Sequence, residues 1–203
     1  TEAFSMKNLT LALFLACFAA CSPSQPQNDD DSDSPGDNVV QNIYDPAVNW
    51  EICGSDVESH ACNIISFDHD GNAFDLYHHY GSLIVLDLSA MWCGPCNSAG
   101  AGAQAVQDLY ATDDLVYVTV LVENRDREPP TLDDIQAWAT DYSNTTAPVV
   151  AGERAMLKSA GGEWELASWP TFFYIDREMV IRDVDRGYSA GEVIYSIEWL
   201  LTL

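Results

Sequence analysis

The sequence predicts an α/β fold, with one mixed central sheet covered by helices on both faces. Two observations carry that prediction. Leu83–Leu88 and Leu115–Val122 are apolar on both faces, broken only by Asp87 and Thr119, the pattern of strands buried on both faces. They alternate with stretches whose apolar residues recur at helical spacing, in the order β-β-α-β-α followed by β-β-α.

The elements follow in chain order. Residues 62–68 read as a short strand, ended by a turn at His69-Asp70-Gly71-Asn72. After the strand Leu83–Leu88, a helix should begin near Cys93 and run to about Thr112. Its inner stripe would be Ala103, Val106, Leu109 and Tyr110. Leu115–Val122 is the second buried strand. Thr131 caps a helix carrying Leu132, Ile135, Trp138 and Tyr142, with Asp134 completing a capping-box pattern. Pro148–Ala151 is a weaker strand. Thr171–Asp176 and Met179–Val184 form a hairpin around Arg177-Glu178, and Val193, Ile194, Ile197, Leu200 and Leu201 line a closing helix. The stretches 123–130 and 158–164 read as solvated connections; loops that select partners is the alternative.

With 32 acidic against 8 basic residues the formal charge is −24. That excludes nucleic acid as a partner, because phosphate binding needs Lys and Arg to displace counterions. The first residues read as an export leader, residues 1–20, with a candidate start at Met6. Lys7 is the positive flank, and Leu9–Ala20 is an apolar run too short for a permanent span. The run ends Phe18-Ala19-Ala20-Cys21, which resembles a bacterial lipobox with Phe18 where Leu is usual. Lipidation of Cys21 is expected; the alternative is ordinary cleavage after Ala20. Residues 21–39 are a polar, acidic stretch with no core-forming content until their end, expected to be a disordered tether. The folded domain is expected over residues 40–203.

Trp92-Cys93-Gly94-Pro95-Cys96 falls where a buried strand meets a helix. A helix N-terminus offers unpaired N–H groups and partial positive charge, so Cys93 is placed to be a thiolate nucleophile. Two intervening residues put Cys96 one turn on, as the resolving thiol, and Pro95 suits the first turn because its missing N–H costs nothing there. Cys93 is expected to be exposed and Cys96 buried. Half a zinc site is the other meaning of C-x-x-C, but a second ligand pair is missing: all four His, 60, 69, 78 and 79, precede the motif. No metal is expected, and no cofactor beyond a redox-active Cys93–Cys96 disulfide.

The segment Val85–Cys96 resembles the active-site strand and loop of the thioredoxin superfamily. With the Asp-Gly-Asn turn at 70–72, it is most similar to the exported, membrane-anchored TlpA/ResA-like branch. The resemblance covers residues 62–203 and implies a thioredoxin fold. By the same resemblance Asp87, six before Cys93, is a buried carboxylate that shuttles the proton of the resolving cysteine. Pro170 is a cis-proline facing the dithiol, so that Trp169 would offer its backbone to an extended substrate. Trp92, Gly94, Pro95, Trp169, Pro170 and Thr171 are the expected substrate-binding residues. Asn97 stands where the family usually has a basic residue.

Cys53 and Cys62, nine apart, are expected to form a structural disulfide in an oxidising compartment; two free thiols is the alternative. The resemblance implies a monomeric protein-disulfide oxidoreductase at the periplasmic face of a bacterial membrane, held there by its N-terminal lipid. Gly-Pro between the cysteines favours reduction. Exported proteins would be its substrates, apocytochrome c among them, with an unidentified membrane electron donor upstream. Other readings are a peroxide-reducing redoxin, a metallochaperone or a non-catalytic adaptor. The first would need Thr at position 90, which is Ala; the second a downstream His, and none follows Tyr80; the intact cysteine pair argues against the third.

Overall fold

The structure, a computed structural model, describes Val48, Trp50 and residues 52–203. The expected leader (1–20), Cys21 and the tether (21–39) lie outside these residues.

Strands β3 (Leu83–Ala90) and β4 (Leu115–Glu123) form the centre of a five-stranded sheet. Its order is β5-β4-β3-β6-β7, with β5 Val149–Ala151, β6 Thr171–Ile175 and β7 Ile181–Arg186. The pairs β3–β4 and β4–β5 are parallel; β6 runs antiparallel to β3, and β7 antiparallel to β6. A separate hairpin joins β1 (Ile65–Phe67) and β2 (Ala73–Asp75). Three helices complete the domain: α1 Gly94–Leu109, α2 Leu132–Tyr142 and α3 Ala190–Leu200. Every residue of β3 is buried, as expected for a strand that is apolar on both faces apart from Asp87 and Ser89.

The two faces of the sheet are covered differently. Leu83, Val85, Tyr117, Phe172 and Tyr174 point to one face and pack against Ala99 and Ala103 of α1 and Val193 and Ile197 of α3. Leu121, Val149 and Ala151 meet Ile135, Trp138 and Ala139 of α2; the register of β4 with β3 and β5 puts them on that same face. All three α-helices therefore cover one side. The opposite face, Ile84, Leu86, Leu88, Val118, Val120 and Phe173, is closed by Ala61–Ile64, Phe74, Leu76, Leu157 and Trp164. Among the described residues, the helical turns in this cover are single 3-10 turns, including Leu76–His79, Arg154–Met156 and Lys158–Ala160. Gly162 explains the absence of an α-helix there: a Cβ would sit 2.3 Å from the Met156 carbonyl, so the chain doubles back on its own backbone. The stretch 158–164, read as a solvated connection, in fact ends on the fully buried Trp164.

Helix phase brings one correction. Leu109 was assigned to the inner stripe of α1, yet it is 63% exposed. Cys96, Ala99, Ala103 and Tyr110 set the buried stripe, and 109 falls a residue out of step with it. The N-terminal segment is tied to β7 by backbone bonds from Glu58 and Ala61 to the carbonyls of Ile181 and Met179. Cys53 and Cys62 are joined within it, Cα–Cα 4.9 Å.

Gly100 is the glycine that packing demands. A Cβ there would lie 2.6 Å from the six-membered ring of Trp138, which is 1% exposed and cannot yield. Gly100→Ala should therefore destabilise by about 1–3 kcal/mol through overpacking, despite alanine's advantage of about 1 kcal/mol in a helix; urea unfolding midpoints measure it. Replacing Cys53 and Cys62 by Ser should cost about 2–3 kcal/mol by releasing a short closed loop, read as the fall in midpoint relative to the oxidised parent.

Candidate active site

The site lies where β3 hands over to α1. Met91 and Trp92 form the turn, and Cys93 is the N-cap, in extended conformation, with its sulfur accepting the amide N–H of Cys96 at 3.2 Å. Gly94 and Pro95 occupy the first turn, where free N–H groups point outward and a proline lacking one is tolerated. Cys93 and Cys96 are joined, Cα–Cα 5.2 Å. The expectation of an exposed Cys93 is corrected: it is only 4% exposed, against 0% for Cys96. It packs in one apolar cluster that Trp92 and Trp169 flank.

Asp87 sits on the helix-covered face of β3, paired with Phe172 across β6, and is fully buried. Ser89 donates a 2.6 Å hydrogen bond to one carboxylate oxygen, and the Tyr117 hydroxyl lies 3.5 Å from the other. Burial pushes the carboxyl pKa up to about 7, and those two donors hold it from rising further. Tyr117, itself buried against Asp87, is pushed well above the ordinary phenol value and stays protonated as a donor.

The Trp169–Pro170 peptide is cis. The Pro170 carbonyl accepts from the amide of Gly187 at 2.8 Å, and the Thr171 hydroxyl donates to the Ser168 carbonyl at 2.8 Å, which together fix the loop. Among the described residues, neither backbone group of Trp169 has a hydrogen-bond partner, so one residue of backbone beside the dithiol is left for an incoming strand. The Trp169 ring meets Trp92 edge-on at 5.6 Å.

Several site residues escaped the sequence reading. Glu123, at the end of β4, is fully buried; it accepts the Trp92 indole N–H at 2.6 Å and pairs with Arg154. Two features pointed to it: an acid closing an apolar run, at the carboxyl end of a central parallel strand where α/β sites gather. Arg127 lies 4.2 Å over the Trp92 ring. Asn97 donates to the carbonyls of Met91 and Cys93 and accepts from the Tyr142 hydroxyl. In place of a basic residue, it braces the dithiol loop against α2. Among the described residues no cluster of His, Cys, Asp or Glu could hold a metal ion.

With this geometry in place, comparison with known proteins is informative. A model of the AhpC/TSA family matches residues 57–184. A thioredoxin-like protein, YneN from Bacillus subtilis, is 26% identical over 117 residues; the match spans 58% of this chain and 64% of that protein. Among solved structures, the thioredoxin domain of a thiol-disulfide oxidoreductase from Bacteroides vulgatus aligns with TM-score 0.60 at 14% identity. It covers 72% of this chain and 98% of that one. The pneumococcal exposed lipoprotein thioredoxin from Streptococcus pneumoniae aligns at 0.54 and 23%, covering 70% and 100%. A thiol:disulfide interchange protein of the thioredoxin family from Chlorobium tepidum aligns at 0.57 and 18%, covering 75% and 99%. The fold is that of thioredoxin.

The raised carboxyl makes stability depend on pH with a definite sign. Between its ordinary value of 3.8 and about 7, the folded protein keeps a proton that the unfolded chain has lost, so stability falls as pH rises across that window. Asp87→Asn removes the penalty. On the disulfide form, the stability of the variant relative to the parent should rise by roughly 4 kcal/mol from about pH 4 to about pH 8, measured by urea unfolding. A difference flat with pH would show that Asp87 does not titrate in this range.

Proposed function

The chain belongs to the AhpC/TSA family, and on that premise we propose that it is a thiol–disulfide oxidoreductase that reduces disulfides of exported proteins. One observation carries the reading. Cys93 caps α1 with its sulfur directed at a backbone N–H, bonded to Cys96 one turn on. A sulfur so placed is stabilised as an anion by the helix end, and its partner is positioned to displace whatever it binds.

The reaction follows from these positions. In the reduced protein the Cys93 thiolate attacks one sulfur of a substrate disulfide; the other substrate sulfur leaves with the electron pair and takes a proton. Asp87, as carboxylate, accepts the proton of Cys96. The Cys96 thiolate then attacks the Cys93 sulfur, expelling the second substrate thiolate and leaving the protein as a disulfide. A carboxyl with a pKa near 7 can both take and return that proton at neutral pH. The substrate would lie extended along Trp169-Pro170-Thr171, pairing with the Trp169 backbone as an added strand. Gly94-Pro95 holds the two sulfurs together, and Trp92 forms the rim. A membrane electron donor would return the dithiol after each turnover.

We place the protein on the outer side of a bacterial membrane. Lys7 and the apolar run to Ala20 support export, and the Ala19-Ala20-Cys21 boundary supports a lipid on Cys21. Among the described residues no helix is long and apolar enough to cross a membrane, which fits an anchor outside the folded domain. A peroxide-reducing role is disfavoured by Ala90, which puts a buried methyl three residues before Cys93 where a hydroxyl would be needed.

The test is insulin reduction coupled to dithiothreitol. Cys93→Ser should lower the rate at least about a hundredfold, because removing a nucleophile removes the covalent step. Cys96→Ser should accumulate a mixed disulfide through Cys93, visible by mass spectrometry. Full activity in Cys93→Ser would overturn the assignment.

A further inference from the structure

The loop between β4 and α2 is built around its asparagine. The Asn124 side-chain carbonyl accepts the backbone amides of Asp126 and Glu128, and the Asn124 backbone N–H donates to the Glu128 carbonyl at 2.9 Å. The Asn124 side-chain amide reaches Asp134, the capping-box acid of α2. This fixed turn holds Arg127 at φ +66°, a left-handed conformation that costs a side-chain-bearing residue about 1–2 kcal/mol. Glycine or asparagine would sit there more easily, so the backbone gives no reason for arginine. The side chain gives one: its guanidinium lies 4.2 Å over Trp92, the residue that meets Trp169 at the edge left open for a substrate strand.

The chain has 8 cations against 32 acids, and five of the seven cations among the described residues are already engaged. Arg125 pairs with Asp141, Arg154 with Glu123, Lys158 with Asp56, and Arg182 with Glu58 and Asp176. Arg177 donates to the Asp113 carbonyl. Arg127 and Arg186 are exposed and, among the described residues, neither makes an ion pair; of the two, Arg127, flanked by Asp126 and Glu128, is the one that lies over Trp92. The contact with Trp92 uses none of the guanidinium N–H groups in an ion pair, and they match a carboxylate fork.

We propose that Arg127 is a specificity-determining residue: it binds a carboxylate beside the reactive cysteine of the substrate, so that this protein favours disulfides flanked by Asp or Glu. The proposal rests on the oxidoreductase reading above and names its substrate class. Trp92, held from beneath by Glu123, is the platform that keeps the guanidinium over the rim while Cys93 reacts.

Two disulfide peptides that differ only in carrying Glu or Gln next to the cysteine provide the test, with kcat/KM measured for each on the full chain. The wild-type protein should prefer the Glu peptide about fivefold, the size of an ion pair at an exposed rim. In Arg127→Gln the ratio should fall to one or below, and Arg127→Glu should invert it. Arg125→Gln, which removes a cation already paired with Asp141, should keep the wild-type ratio. A ratio that is the same in the wild-type protein and both Arg127 variants would overturn the proposal and leave the oxidoreductase reading intact. A wild-type protein that exchanges with neither peptide nor with insulin would sink both.

Discussion

The hydrogen bond from the Cys96 amide to the Cys93 sulfur is the contact on which the rest of the site depends. It makes a sulfur serve where Ser, Thr or Asp usually caps a helix. A cap stabilises best when it carries negative charge, so the same geometry that starts α1 also favours the thiolate. Everything around it holds that junction still. The strand before it is buried on both faces, Asn97 ties the loop carbonyls to α2, and Gly100 lets the Trp138 ring lie against the helix. A looser junction would lose the cap and the activated sulfur together.

The asymmetric cover of the sheet gives each face a task. The face under α1, α2 and α3 holds the buried polar groups Asp87, Ser89 and Tyr117. Placing an ionisable carboxyl there is unfavourable when it is charged, and that cost is what brings its pKa to the range of a proton carrier. The other face is closed by the N-terminal segment, the β1–β2 hairpin and the turns around Trp164, almost wholly apolar. That face contributes stability, aided by the Cys53–Cys62 link, and no chemistry.

What could be read in the sequence was whatever the chain holds locally. The C-x-x-C spacing, Asp87 at a fixed offset in a strand, the Thr131–Asp134 capping box and the proline before a strand each state their geometry within a few residues. Groups that meet across long separations could not be read this way. Glu123 lies 31 positions from Trp92 and Tyr142 lies 45 from Asn97, and no local pattern links either pair. The phase of α1 was misjudged at Leu109 because its stripe is made of Gly, Ala and Cys, whose small side chains give a weak periodic signal. The cover of the second face was missed because a chain that folds back through Gly161 and Gly162 has no period at all.

Charge decides how such a site meets its substrates. A protein with a formal charge of −24 repels acidic partners at long range and attracts basic ones without discrimination. Within about a Debye length that field gives way to whichever charges line the rim. Around Trp92 they include Glu123, buried and neutralised by Arg154, and Arg127, exposed on the ring between Asp126 and Glu128. Arg127 thus places a cation over the Trp92 rim of a chain whose overall field is negative. Non-specific attraction brings basic surfaces near but gives them no favourable contact beside Cys93, whereas an acidic flank is stabilised only once the peptide is seated. Such an arrangement discriminates at the reacting sulfur rather than at encounter, and kcat/KM is the quantity in which that discrimination is expressed.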